Sequence, residues 1–206
     1  AQPVRAKGQL AAALRQRLAF ALTGAQQRVL DEVARDMSRP EPMLRLVQGD
    51  VGSGKTVVAA LAAANAVETG RQVALMAPTE LLAEQHLANF RAWLEPLGLR
   101  VAWLAGKVTG KARTAVLAEI ASGQAQVVVG THALLQPDVH FARLGLVIVD
   151  EQHKFGVLQR AQLRAKAAWH PDVLVMTATP IPRTLAMTLY GDLDVSVIDQ
   201  FPPGKR

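Results

Sequence analysis

Short apolar runs recur along the chain: LRLVQG, QVALMAP, RVAWLAG, AQVVVG, LGLVIVDE and VLVMTATP. Each is rich in valine and bounded by Gly, Pro or polar residues. None alternates polar with apolar, so each predicts a strand buried on both faces, as in a parallel sheet. Between most of them lie longer Ala/Leu-rich stretches that suit helices, such as LLAEQHLANFRAWLEPLG and KARTAVLAEIASG. Sustained strand–helix alternation predicts a doubly wound, mainly parallel α/β sheet with helices on both faces and right-handed crossovers.

The pattern also divides the chain. Residues 1–22 carry an early helical pattern, LAAALRQRLAF, and are expected to form a helical lead-in. Residues 23–200 hold the strand–helix alternation and form the expected main lobe. Residues 201–206, FPPGKR, read as a linker, because Pro202, Pro203 and Gly204 break regular structure. The expectation is a piece of a larger protein.

Composition narrows the class. Half of the residues are hydrophobic and 19% are charged, the balance of a globular chain rather than a disordered one. No apolar run approaches the ~20 residues of a membrane span, and AQPVRAKGQL lacks the pattern of a signal peptide. With no cysteine, disulfides and Cys-ligated zinc are excluded, which fits a reducing cytoplasm. A net charge of +6 favours a polyanionic partner such as nucleic acid. The cations are scattered, however, and Lys107, Lys111 and Arg113 fit a solvated charged face better than a row of phosphate contacts.

Residues 49–56, GDVGSGKT, match the phosphate-loop pattern G-x-x-x-x-G-K-[ST]. Gly49, Asp50, Val51, Gly52, Ser53 and Gly54 would turn backbone N–H groups toward nucleotide phosphates. Lys55 would reach the β- and γ-phosphates and the Thr56 hydroxyl would ligate Mg²⁺. The context is right: LRLVQ before it reads as a strand and VVAALAAANAVETG after it as a helix, whose N-terminus favours anions. Neither the guanine-reading N-K-x-D nor the transporter motif L-S-G-G-Q occurs in the sequence.

A phosphate-loop enzyme needs a second strand ending in a carboxylate to hold the metal. LVIVDEQHKFG supplies one: Asp150 ends an apolar strand, as the expected Mg²⁺ ligand, and Glu151 follows as the expected general base for the attacking water. Gln26, in LTGAQQ, could read an adenine edge through its amide, with Phe20 lying on the base. Equally, the two could be an exposed helix Gln and a core Phe. Thr79, Thr131, Thr177 and Thr179 stand at or near strand ends, where open parallel sheets bind ligands. Thr79 and Thr131 could be helix N-caps, nucleic-acid contacts, or both. His86, His132, His140, His153 and His170 show no metal-ligand spacing.

The ordered set LTGAQQ, GDVGSGKT, APTELLAEQH, VVGTHALLQ, DEQHKFGVLQR and TATPIPRTLA resembles the first motor lobe of superfamily 2 DNA helicases, close to the bacterial RecG family of branched-DNA helicases. The resemblance spans roughly residues 20–203. The transcription-repair coupling translocases share similar phrases but usually carry an acidic residue at the position of Gln152. By this resemblance Gln26 is the adenine-reading glutamine. Lys55, Thr56, Asp150 and Glu151 keep the roles given above. Thr79, Thr131 and His132 match motifs that track the DNA backbone. Gln152, His153, Thr177, Ala178 and Thr179 match motifs that couple hydrolysis to DNA movement. Lys154 stands where the family usually has Arg, which keeps the charge but loses a bidentate fork.

The resemblance implies ATP and Mg²⁺ as cofactors, branched or duplex DNA as partner and no membrane. It further implies a second RecA-like lobe bringing an arginine finger, and a wedge domain. Without that lobe the chain is expected to hydrolyse ATP poorly. A rival from another class is a non-catalytic, nucleotide-responsive module that binds DNA or protein; it would have no use for a base at Glu151.

Overall fold

The computed structural model describes residues 7–50, 54–150, 165–166, 170–178 and 194–199. Among these residues seven parallel strands form one sheet in the order β3-β4-β2-β5-β6-β1-β7. They are β1 (Leu44–Gly49), β2 (Gln72–Met76), β3 (Val101–Leu104), β4 (Val127–Gly130), β5 (Leu144–Asp150), β6 (Asp172–Thr177) and β7 (Asp194–Ile198). Six of them are the apolar runs of the sequence. The seventh, DVSVI, lies at one edge with exposed positions among its buried ones, so it lacks the continuous apolar run that marks its neighbours.

Among the described residues five α-helices accompany the strands: α1 (Gln9–Arg17), α2 (Gly24–Met37), α3 (Lys55–Glu68), α4 (Glu80–Leu94) and α5 (Gly110–Ser122). Side chains alternate across a strand, and the core divides accordingly. Val47, Leu75, Leu146 and Ile148 share one hydrophobic cluster with α1, α2, α3 and the Phe90 and Leu94 end of α4. Leu46, Met76, Val147 and Val149 face the other, with Ile120 of α5 and Leu134. Helix α3 is almost wholly buried, which is why VVAALAAANAV shows little polar face.

The lead-in helix is part of this core. Ala11 and Leu14 of α1 are buried against α3. Glu68, the last residue of α3, caps the start of α1 by accepting from the backbone N–H groups of Gly8, Gln9 and Leu10 at 3.0, 2.7 and 3.1 Å. Such a carboxylate satisfies donors that have no partner within the helix.

Arg45 of β1 ties α2 to β7. Its Nε donates to Asp36 Oδ2 at 2.7 Å and its Nη1 to Ser196 Oγ at 2.7 Å, while Ser196 donates to Glu32. No described helix is long and apolar enough to cross a membrane.

Candidate nucleotide site at the carboxyl edge of the sheet

The strand order brings β5, β6 and β1 side by side, although β1 lies far from β5 in sequence. Asp150 is in register with Met176, and Thr177 with Gln48. The ends of these strands therefore form a row: Asp150, Thr177, Gly49. In open parallel sheets this carboxyl edge is where ligands bind.

Lys55 opens α3 directly after Gly54, which takes the left-handed conformation at φ 88°. Its ammonium turns back to the end of β1 and donates to the carbonyls of Gly49 and, at 3.3 Å, Asp50. Burial lowers the Lys55 pKa, and the carboxylates of Asp150 and Asp50 pull it back up. The Lys55 charge therefore feels Asp150 across the intervening strand. Thr56 follows, half-buried in the first turn of α3. Val51, Gly52 and Ser53 lie outside the described residues, as do Glu151, Gln152, His153, Lys154 and Thr179.

Gln26 is fully buried, so the alternative of an exposed helix glutamine fails. It completes a capping box at the start of α2. Thr23 Oγ1 accepts from Gln26 N at 3.1 Å, and Gln26 Oε1 accepts from Thr23 N at 2.9 Å. The T-x-x-Q spacing in TGAQ is the signal that sequence reasoning passed over. A Cβ on Gly54 would overlap the Gln26 Nε2, so the amide lies against the phosphate-loop end of α3. Phe20 is not a core residue: it is 37% exposed. It lines a cavity of about 320 Å³ with Arg15, Leu18 and Leu22.

The candidate DNA-tracking residues stand on the same edge, displaced toward β2 and β4. Thr79 is exposed and caps α4, accepting from Leu82 N at 3.3 Å. Thr131 is 4% exposed and accepts from Ala133 N at 3.4 Å at the head of a single 3-10 turn, residues His132–Leu135. Both are caps, and only Thr79 offers its side chain to solvent. His132 is exposed, Thr177 is buried, and Ala178 beside it is exposed. Lys107 pairs with Glu84 at 2.8 Å and Arg113 with Asp138 at 2.8 Å, as a charged face would.

One contact had no counterpart in the sequence reading: His86 Nε2 of α4 lies 2.6 Å from Asp150 Oδ2. Spacing could not reveal it, because the partners meet only when α4 packs across the end of β5.

The DEAD/DEAH box helicase family matches residues 23–188. The chain is 62% identical to the ATP-dependent DNA helicase RecG of Escherichia coli (strain K12), covering 100% of this chain and 30% of that protein. It is 52% identical to the RecG of Aquifex aeolicus (strain VF5), over 93% of this chain and 24% of that one. The chain thus spans about 30% of the length of the E. coli relative. A solved structure of RecG bound to a three-way DNA junction superposes with a TM-score of 0.84 at 45% identity, covering 99% of this chain and 27% of that one. The DEAD-box helicase Mss116, at 17% identity and a TM-score of 0.72, shares the fold over 92% of this chain and 43% of its own. The parallel sheet, the phosphate-loop lysine and the family match covering most of the sequence agree: the chain belongs to the DEAD/DEAH box helicase family.

Proposed function

We propose that the chain is the first RecA-like ATPase lobe of a cytoplasmic, ATP-dependent DNA helicase that remodels branched DNA. The observation that carries this reading is the row of strand ends, which sets Lys55 against the end of β1 and Asp150 at the end of β5, on either side of β6. Lys55 exchanges its carbonyl partners for the β- and γ-phosphates. Gln26 packs its amide on the end of the phosphate loop and, by the family resemblance, meets the adenine. Glu151, by the family resemblance, orients the attacking water as general base.

The residues fit Mg²⁺. Asp150 offers a hard oxygen donor and Thr56 a hydroxyl. Among the described residues no group of three or more His, Cys, Asp or Glu could hold a metal. This suits an ion held by one carboxylate, a hydroxyl, water and the nucleotide's own phosphates. When bound, the ion neutralises charge on those phosphates.

The candidate DNA positions, Thr79 and the segment from Thr131 to His132, lie beside the nucleotide row on one sheet edge. Thr177 and Ala178 end β6, between the phosphate loop and Asp150. A change at the phosphates is therefore one strand away from Thr177 and Ala178. Branched DNA as substrate is supported by the similarity to a RecG bound to a three-way DNA junction.

The test is strand displacement by the intact protein on a three-way junction and on a linear duplex of equal length. ATP- and Mg²⁺-dependent displacement on the junction, lost in Lys55→Ala, supports the reading. Displacement without ATP, or ATP hydrolysis indifferent to DNA, contradicts it.

A further inference from the structure

The buried residues of α4 are Ala83, His86, Phe90 and Leu94. An amphipathic helix keeps such a stripe apolar, and His86 interrupts it. On β5, Leu146 and Ile148 face the same core cluster as Phe90 and Leu94. Asp150, two residues further, emerges on that face. There His86 Nε2 meets Asp150 Oδ2 at 2.6 Å. An ionised carboxylate only accepts, so Nε2 carries the hydrogen and donates it.

The other ring nitrogen tells what the histidine is for. His86 Nδ1 is buried and has no hydrogen-bond partner among the described residues. An orphaned buried polar atom is destabilising. Leucine would fill the stripe without that cost, so packing does not explain a histidine here. Its distinctive contribution is the bond to Asp150.

We propose that His86 is a positioning residue for the Asp150 carboxylate, holding Oδ2 so that Oδ1 is presented to the nucleotide-bound Mg²⁺. This rests on the reading of Asp150 as a metal ligand. The bond restrains rotation of the carboxylate, as outer-shell partners do for metal-binding groups. It also joins two parts of the edge. The rise from the Thr79 cap to His86 is about 10 Å along one rigid helix. A displacement of α4 at its exposed start therefore reaches the metal ligand directly.

The test measures binding of a fluorescent ATP analogue (mant-ATP) to the intact protein during a Mg²⁺ titration without DNA. His86→Leu is expected to raise the half-saturating Mg²⁺ concentration about 10- to 100-fold, with affinity in EDTA unchanged within about twofold. His86→Gln retains an N–H donor at similar reach and is expected to restore most of the wild-type value. His86→Met carries the same test should the leucine variant not fold. A half-saturation unchanged in the Leu or Met variant overturns the proposal, as does a Gln variant shifted as far as either. Asp150→Asn separates the two levels. If it too leaves the Mg²⁺ requirement unchanged, Asp150 is not a metal ligand and the underlying reading fails. If it shifts the requirement while His86→Leu does not, only the role of His86 falls.

Discussion

The carboxamide of Gln26 occupies the space that a Cβ on Gly54 would need. The first turn of α2 and the end of the phosphate loop are thereby packed together, and the packing requires glycine twice over. Gly54 is left-handed at φ 88°, and its neighbour is a side chain locked in a capping box. In Gly54→Ala the backbone strain costs about 1–2 kcal/mol. Expelling the Gln26 amide from its cap costs about 1 kcal/mol more. The melting temperature should fall by several degrees, and mant-ATP affinity should fall with it. Adding Gln26→Ala should not restore the affinity, since it removes the overlap together with the amide that meets the adenine. A single variant that binds like wild type would show that the loop does not depend on this contact.

Glu68 should make the docking of α1 sensitive to acid. Burial pushes its carboxyl up, but the N–H groups of Leu10, Gly8, Gln9 and Lys7 together pull it further down, so it titrates below its ordinary value. A depressed carboxyl stabilises the fold above the unfolded pKa and loses that contribution as pH falls through the folded one. Glu68→Ala should therefore be less stable than wild type by about 1 kcal/mol at pH 7, with the gap closing at acid pH. Thermal melts of both proteins across pH 3–7 measure this. A gap of constant size would assign the effect to packing instead.

Asp172 carries the opposite sign. It is buried at the amino end of β6 and accepts from Met43 N at 2.7 Å. Burial pushes its pKa up to about 7, against the pull of the Met43 N–H and the Arg71 guanidinium. A folded carboxyl that holds its proton this long loses stability as pH rises from the unfolded pKa, near 3.9, toward 7. Asp172→Asn keeps an acceptor for Met43 without the charge. It should gain on wild type by a few kcal/mol between pH 4 and pH 8 in denaturant titrations. Parallel curves would mean the carboxylate is charged and well paired in the fold.

The buried strands could be read from sequence because a parallel sheet covered on both faces leaves continuous apolar runs, and six of the seven strands have them. Strand β7 could not, since its burial is broken by exposed positions and its run DVSVI by Asp194 and Ser196, whereas β3, at the other edge, is almost wholly buried. The GDVGSGKT pattern stands out because phosphate binding imposes glycines at fixed spacing, and Lys55 opens α3 where that pattern expects a helix to start. Gln26 was half readable: its buried state follows from a capping box written in TGAQ, but its packing on Gly54 needs α2 and α3 in place. His86 on Asp150 was unreadable. It depends on strand order and on where α4 crosses β5, neither of which local spacing encodes.

Glu151 separates a catalytic lobe from a module that only binds nucleotide. The direct measurement is mant-ATP affinity alongside single-turnover ATP hydrolysis by the intact Glu151→Gln protein with a DNA junction. The expected result is MgATP binding within about threefold of wild type and hydrolysis slower by about 10²–10⁴-fold, the usual worth of a general base. Hydrolysis at the wild-type rate, or binding lost as fully as turnover, would contradict it.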